Sequence, residues 1–217
     1  MTEPTNLNPG EWGGEESGAL NGESGEGLSD LLIELVKPQQ GVTTICDLGC
    51  ANGYLSHRLA AAGYRVTGID GSVPYIATAK RLHGSPPVRF EQAFFSPSLA
   101  TTLSTEPFDL VISSDVIEHL YHPMGLLETA HALLKPGGML ILGTPYHGYL
   151  KNVAISLLGK WDAHHGVHWD GGHIKFFSVN TMRRMVERGG FADTHFHFYG
   201  RTHAFAKNMI CIARRQA

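Results

Sequence analysis

Cysteine is scarce in this sequence of 217 residues, where only Cys46, Cys50 and Cys211 are present. Small secreted proteins that depend on disulfides contain a denser set, so the sequence predicts a protein of a reducing compartment, the cytoplasm. An apolar run of about 18 residues is also lacking, as is an N-terminal signal-peptide pattern. These absences predict neither secretion nor a membrane span.

Positive charge is not in excess. The formal net charge is −3, from 17 Lys and Arg against 20 Asp and Glu. This balance gives no general attraction to nucleic acids, and the sequence has no basic patch interleaved with aromatic residues. We therefore expect no nucleic-acid partner.

Apolar residues are almost missing from residues 1–27, which are rich in Gly and Glu. Such a segment cannot bury enough apolar surface to offset the entropy that it loses on ordering. The sequence predicts a flexible tail here, either a leader without a task or a lid that orders over a bound cofactor. Residues 28–217 are predicted to form one domain that opens with a short amphipathic helix, which Pro38 ends.

Strand-like and helix-like patterns alternate from Val42 onward. The patterns predict strands over 42–48, 64–69, 88–93, 108–113 and 139–143, with helices over 54–62, 73–82 and 123–134. A helix over 179–188 then precedes strands near 192–199 and 208–213, which are close enough to pair antiparallel. The order predicts an α/β fold with a Rossmann-like, seven-stranded, mainly parallel sheet, an antiparallel C-terminal strand and helices on both faces.

A loop of small residues follows the first predicted strand: Gly49-Cys50-Ala51-Asn52-Gly53. Small residues let backbone amides approach a ligand beside the N-terminus of the next helix. Asp47 precedes the loop, and Asp70 ends the second strand, where a carboxylate can accept hydrogen bonds from ribose hydroxyls. The spacing Gly49-x3-Gly53 differs from the G-x-G-x-x-G pattern that receives a pyrophosphate, which disfavours the alternative of an NAD-dependent oxidoreductase.

The stretch from Asp47 to Gly53, together with Gly68-Ile69-Asp70-Gly71-Ser72, resembles the class I S-adenosylmethionine-dependent methyltransferases. Phe108–Val111, Ile117–Leu120 and Leu134–Leu140 extend the resemblance, which covers about residues 42–145. Within the family, these motifs are most similar to the small-molecule O-methyltransferases of ubiquinone-type biosynthesis. The resemblance implies S-adenosylmethionine as cofactor and methyl transfer to a small-molecule acceptor, with an oxygen of an apolar or aromatic compound as the expected position. A catalytically silent cofactor-binding scaffold is the alternative.

The resemblance also implies a set of cofactor-binding residues: Asp47, Gly49, Cys50, Gly53, Asp70, Gly71, Ser72, Phe94, Ser114 and Asp115. Asp47 is expected to fix the loop or to receive the ammonium group through water, and Asp70 to hold the ribose. Phe94 stands where the family commonly has an acidic residue, so we expect it either to stack on the adenine or to pack in the core. Asp115 is expected to line the pocket near the methyl group or to cap the next helix.

Three histidines are candidates for a general base toward a hydroxyl acceptor: His147 first, then His119 and His173. His147 and His173 lie within residues 146–177, which are predicted to be an acceptor-side insertion. The apolar residues of 149–161 recur at helical spacing and predict one amphipathic helix. This helix is expected to pack on the sheet, cover an apolar acceptor, contact a membrane surface peripherally or form a dimer face, and the oligomeric state stays open.

A second histidine-rich pattern follows that helix. Its members are His164, His165, His168 and His173, with Asp162 and Asp170 close to them in the sequence. Such a group is able to bind a divalent metal, but neither H-E-x-x-H nor C-x-x-C spacing supports one, so the sequence predicts no metal site. Acceptor recognition is favoured instead, with an apolar wall from Trp161, Trp169, Phe176 and Phe177.

Overall fold

A computed structural model describes residues 23–165 and 172–216 of the chain. Its centre is a seven-stranded sheet of β1 Thr44–Leu48, β2 Arg65–Asp70, β3 Val88–Gln92, β4 Phe108–Ser114, β5 Leu134–Pro145, β6 Phe191–Tyr199 and β7 Asn208–Arg215. The spatial order is β3-β2-β1-β4-β5-β7-β6. The first five strands pair in parallel, and β7 runs antiparallel to both β5 and β6. The predicted fold class is therefore confirmed, including its antiparallel C-terminal strand.

Helices connect and flank these strands. They are α1 Glu23–Val36, α2 Tyr54–Ala61, α3 Val73–His83, α4 Leu99–Thr102, α5 Pro123–Leu133, α6 Tyr149–Leu157, α7 Trp161–His165 and α8 Val179–Arg188. Short 3-10 turns lie at Ile117–His119 and His203–Phe205. The helices predicted after β1, β2 and β4 and before β6 are all present.

Both faces of the sheet are buried because successive side chains of a strand point to opposite faces. On β5, Leu140 and Leu142 join the core that α5 and α8 close, whereas Ile141 joins the core that α1, α2 and α3 close. All three side chains are fully buried. The doubly covered sheet thus holds the carboxyl ends of its parallel strands in fixed positions.

Helix α1 begins earlier than the predicted domain boundary. The structure places its first turn at Glu23 rather than after residue 27, and Leu28, Leu32 and Val36 bury their side chains in the core. Residues 23–27 therefore belong to this helix and not to the predicted tail. The buried side chains that follow them stabilise the helix, and residues 23–27 extend it by its first turn. The rest of the predicted tail, 1–22, lies outside the described residues.

Strand β5 is also longer than the 139–143 that the pattern predicts. It starts at Leu134, directly after α5, and Leu134 pairs with Phe108 while Met139 pairs with Leu110. The four residues Lys135-Pro136-Gly137-Gly138 thus form a bulge within the strand instead of a separate loop.

The single amphipathic helix predicted over 149–161 is wrong. α6 ends at Leu157 and α7 begins at Trp161, with a turn at Leu158 and Gly159 between them. No residue of α6 is buried, and the side chain of Leu157 is 82% exposed. The expectation that this face packs on the sheet is therefore also wrong, and Tyr149, Leu150 and Leu157 are exposed.

Lys151 fixes α6 to the sheet from its polar side. The Lys151 Nζ donates hydrogen bonds to the carbonyl oxygens of Tyr146 at 2.8 Å and Ala206 at 3.2 Å. The attachment explains how α6 is held although its apolar residues bury little surface. Among the described residues, no helix has the length and apolar character that crossing a membrane requires.

Candidate functional site

The loop after β1 requires glycine at both of its ends. Gly49 has a φ of +83° and Gly53 a φ of +81°, a region that side chains rarely adopt. A Cβ on Gly49 would collide with the Val116 side chain, and one on Gly53 would lie 2.5 Å from Cζ of Phe90. The Gly49 amide also donates to the Ile69 carbonyl at 2.7 Å. The backbone between the two glycines is thus drawn close to the ends of β1 and β2.

Asp47 lies buried beneath this loop. Ser56, on the first turns of α2, donates its hydroxyl to Asp47 Oδ2 at 2.6 Å. Burial raises the pKa of Asp47 to about 7, although the Ser56 hydrogen bond lowers it, and the nearby Asp70 carboxylate raises it further. The site therefore favours a cation that would stabilise the Asp47 carboxylate. Sequence reasoning did not identify Ser56, whose only signal is its place one turn into α2.

Asp70 organises the ends of two loops. Its Oδ2 accepts the Ala51 amide at 3.0 Å and its Oδ1 accepts the Ser72 amide at 2.8 Å. Burial raises the pKa of Asp70, and these two amide bonds oppose that shift. Ser72 caps α3, since its Oγ accepts the Tyr75 amide at 3.4 Å. Each Asp70 oxygen has one protein donor and a further lone pair for hydroxyl groups of a ligand.

Phe94 lies over Gly71, next to Asp70. A Cβ on Gly71 would be 2.9 Å from Cε1 of Phe94. The Phe94 side chain is 44% exposed, so it does not pack in the core, which was one of the two expectations for it. An aromatic ring with an open face at this edge offers a stacking surface for a planar ligand group.

Ser114 ends β4, Asp115 follows it, and both line the same opening. Asp115 has a φ of +54°, and its carboxylate accepts Asn208 Nδ2 at 2.7 Å and Ser114 Oγ at 3.3 Å. Burial raises the pKa of Asp115 to about 6, against the effect of both hydrogen bonds. Asp115 does not cap the next turn, whose N-cap is Val116 without a side-chain bond. Asn208, 93 residues away on β7, carries no local sequence signal.

A cleft opens at the ends of β1 and β4. It is lined by the end of β1 and the loop after it, the start of α2, the end of β4 and the helix α1, which contributes Leu28, Ser29 and Leu32. Asp47, Gly49, Cys50, Ser114 and Asp115 are among the lining residues. β1 and β4 are neighbours whose following strands lie on opposite sides, and an α/β sheet binds its ligands at such a switch point. The sequence did not predict that α1 would form a wall.

The described acceptor-side residues include a buried carboxyl group that sequence reasoning missed. Glu118 is buried, and its Oε2 accepts the Thr144 hydroxyl at 2.9 Å, whereas Oε1 has no partner among the described residues. Burial, and then the Asp115 charge, raise the pKa of Glu118 well above its usual range. The Glu118 carbonyl accepts the amides of Ile174 and Lys175, both at 3.0 Å. This residue thereby ties the segment from 172 to the end of β4.

His119 and His173 contact each other beside Glu118. Their ring centroids are 4.9 Å apart in an edge-to-face arrangement, and His119 Nδ1 lies 3.2 Å from the Gly172 carbonyl oxygen. Burial, and then the charge of His119, lower the pKa of His173 to about 4. One ligand atom of each of the three residues lies within 4.8 Å of the others. Two of the three candidate bases thus meet at the end of β4.

His147 is placed elsewhere, in a second histidine group. It is buried after β5, with its Nδ1 3.4 Å from Asn152 Oδ1, and its ring lies 5.4 Å from that of His165 and 5.6 Å from that of His164. Burial, and then Lys151, lower the pKa of His147 to about 4. The histidines of the segment 164–173 are therefore divided between two groups, since His164 and His165 lie beside His147 and His173 lies beside His119. His168, Trp169 and Asp170 lie outside the described residues.

Comparison with known proteins gives matches over most of the chain. A family model described as a methyltransferase domain matches residues 21–195. The ubiquinone biosynthesis O-methyltransferase of Caulobacter vibrioides is 38% identical over 128 residues, covering 56% of this chain and 48% of the relative. The enzyme of that name from Methylobacterium sp. is 32% identical over 168 residues, covering 73% and 64%. The chain thus spans about half to two thirds of the length of these relatives.

A solved structure matches nearly the whole chain. It is the N-methyltransferase NodS from Bradyrhizobium japonicum in complex with S-adenosyl-L-homocysteine, with a TM-score of 0.66 and 17% identity over 95% of both chains. At this identity the likeness concerns the fold, which agrees with the strand order described above.

Proposed function

We propose that this chain, which belongs to the methyltransferase-domain family, transfers the methyl group of S-adenosylmethionine to an oxygen of a small apolar or aromatic acceptor. The observation that carries the proposal is the cleft at the switch point between β1 and β4, where Asp47 and Asp70 flank a loop fixed by two glycines. The chain's relatives named as O-methyltransferases support oxygen as the acceptor atom.

The cleft and the loop ends beside it offer complementary groups to each part of this cofactor. The Asp47 carboxylate and the loop amides suit the amino-acid part, and the free lone pairs of Asp70 suit the ribose hydroxyls. Phe94 offers its open face to the adenine. The methyl group would then lie near Ser114 and Asp115, at the end of β4.

Methyl transfer from a sulfonium is an in-line displacement that releases a neutral thioether, so the leaving group requires no acid. The protein has to align the acceptor and remove the proton of its hydroxyl. We assign this base to His119, because it follows Asp115 by one turn and contacts His173. His173 and Glu118 would position the acceptor and the ring, whereas His147 lies in the other histidine group.

The acceptor class is tested with methyl-labelled S-adenosylmethionine and a panel of hydroxylated aromatic compounds with and without a long alkyl chain. We expect label on the phenolic oxygen of at least one alkylated member, together with release of S-adenosylhomocysteine. Fractionated small-molecule extract serves as a second acceptor source. Binding of S-adenosylhomocysteine without any labelled product would favour a silent scaffold, and failure to bind either cofactor form would end the proposal.

Cofactor affinity is expected to rise with pH because of Asp47. With a pKa of about 7, this carboxyl group is largely protonated at pH 6 in the free protein and has to ionise to bind an ammonium group. Affinity for S-adenosylhomocysteine should increase about eightfold from pH 6 to pH 7.5 by proton linkage. Calorimetry at a series of pH values measures it.

Asp47→Asn is the matched control for this pH dependence. The variant has no proton to lose at this position, so its affinity should be lower and nearly constant over the same pH range. A wild-type profile as flat as that of the variant would contradict the assigned role of Asp47.

We propose that the outward face of α6 makes peripheral contact with a membrane surface. Tyr149, Leu150, Leu157 and Leu158 are exposed, and the exposed Lys160 follows them. An amphipathic helix with basic residues binds at the lipid interface through its buried apolar area. This contact would bring an apolar acceptor dissolved in lipid to the segment beside His173. We place the protein in the cytoplasm, since all three of its cysteines are free and buried.

Leu157→Asp is expected to weaken binding to phosphatidylcholine and phosphatidylglycerol vesicles by about tenfold or more, because insertion of one leucine contributes about 1.5–3 kcal/mol. Vesicle sedimentation measures it. Leu82→Asp, which changes an exposed leucine on α3, is the control and should bind like the wild type. Equal binding by all three proteins would count against this surface.

A further inference from the structure

Three histidines from two separate elements converge beside the end of β5. His147 follows that strand, and His164 and His165 are neighbours on α7. One ring nitrogen of each lies within 4.8 Å of the other two. We call this group the tri-histidine cluster. Its members do not belong to the cofactor cleft, and the proposed methyl transfer assigns them no task.

His165 is the member of the cluster that most needs a partner. Its side chain is only 8% exposed, and neither of its ring nitrogens has a hydrogen-bond partner among the described residues. A buried polar group left without a partner costs about 1–3 kcal/mol. Coordination of a metal through one nitrogen satisfies the lone pair of a neutral imidazole.

Neighbouring side chains pack against the rings and orient them. Trp161 stacks on His165 at 4.6 Å, and Phe176 lies edge-on to His165 at 4.6 Å and to His147 at 5.0 Å. Asn152 Oδ1 faces His147 Nδ1 at 3.4 Å, so the amide oxygen can accept that N–H and leave Nε2 as the free lone pair. Metal-binding histidines characteristically donate their other ring N–H to such a partner.

The type of ligand atom decides which metal the cluster suits. Lys151 is the cation that faces the cluster, and its Nζ is occupied by the carbonyls of Tyr146 and Ala206. Three imidazoles without an oxygen ligand suit zinc-class ions and not Mg²⁺ or Ca²⁺.

We propose that His147, His164 and His165 bind one zinc-class divalent cation, with water as a fourth ligand, and that this ion clips α7 to the end of β5. Zn–N bonds of about 2.0–2.1 Å require the three nitrogens to approach to about 3.3 Å. His164 is exposed and can supply its own part of this movement by rotating its side chain. The clip would also fix Phe176, which contacts two of the ligands, and so shape the acceptor side.

The probe is Co²⁺, added to the full chain after treatment with a chelator. We expect one Co²⁺ per chain with the intense visible absorption of tetrahedral coordination, displaced by Zn²⁺. His164→Gln should lower the affinity at least about tenfold, since even changes outside the ligand set cost 10–100-fold. Because His164 is exposed, this variant should keep the fold, which circular dichroism checks; His147→Gln is the second ligand variant.

Two control variants separate the cluster from other histidines. His83→Gln changes a histidine that stacks on His57, away from the cluster, and should bind Co²⁺ like the wild type. His173→Gln removes a member of the Glu118 group and should also leave the tetrahedral spectrum unchanged. Absence of a tetrahedral spectrum, or its loss in His173→Gln but not in His164→Gln, would overturn the proposal. Cofactor binding is measured in parallel, so this failure is distinguishable from failure of the proposed methyl transfer.

Discussion

Asp70→Ala is expected to weaken the binding of S-adenosylmethionine by about 100-fold or more. Asp70 is proposed to hold the ribose, and it also fixes the amides of Ala51 and Ser72. A hydrogen bond to a charged group contributes about 1.5–3 kcal/mol, so loss of two such bonds to the ribose costs about 3 kcal/mol or more. Titration calorimetry with S-adenosylhomocysteine measures the loss without turnover.

Glu91→Ala provides a control on the neighbouring strand. Glu91 pairs in register with Ile69 and forms a surface ion pair with Arg89, so its loss should leave cofactor affinity unchanged. Asp70→Asn keeps one acceptor oxygen and should fall between the wild type and Asp70→Ala. Wild-type affinity in Asp70→Ala would remove the ribose site from the proposal.

His119→Ala is expected to lower kcat by about 100-fold or more while the affinity for S-adenosylhomocysteine stays near that of the wild type. General base catalysis by a positioned side chain contributes about 10²–10⁴-fold, and His119 lies outside the residues that line the cofactor cleft. The rate of S-adenosylhomocysteine release with the best acceptor of the phenol panel measures kcat. Retained cofactor binding shows that the variant is folded.

His83→Ala is the matched histidine deletion, since His83 ends α3 and packs on His57 instead of the acceptor side. Its kcat should equal that of the wild type. A His119→Ala enzyme that turns over within a few-fold of the wild type would exclude His119 as the base and direct attention to Glu118 or His173.

The fold and the cofactor loop were predictable because their signals are local. The spacing of apolar residues changes where a strand ends and the next helix begins, so both elements are visible in the sequence. Short connections of the βα type then predict a parallel sheet. Asp47, Gly49 and Gly53 lie within seven residues, and Asp70 ends the next strand. The ends of β1 and β2 lie side by side because these consecutive strands pair in parallel, so no contact between distant parts of the sequence has to be known.

The walls of the cleft were not predictable in the same way. α1 starts among Gly and Glu residues that favour a loop, and only burial of Leu28 and Leu32 against the sheet stabilises it as a helix. The partner of Asp115 is Asn208, on a strand that the sequence predicts without indicating which of its side chains reaches the cleft. Both features depend on tertiary contacts, which a local pattern does not contain.

The histidine-rich segment shows a further limit of local patterns. Spacing suggested one helix through Trp161 and one crowd of histidines, but the turn at Gly159 redirects the chain. As a result, His173 joins His119 at the end of β4, whereas His164 and His165 join His147. This change of direction, and not the order of the histidines in the sequence, determines which of them come into contact.

The hydrogen bond between Asn208 and Asp115 also bears on when the cleft is completed during synthesis. β7 lies between β5 and β6, so β6 cannot join the sheet before β7 has left the ribosome. The first five strands can assemble on the nascent chain, but Asp115 then lacks its amide partner. Asn208 must therefore leave the ribosome before a cofactor meets a finished pocket, and a chain stalled earlier would form the glycine loop without the hydrogen bond to Asp115.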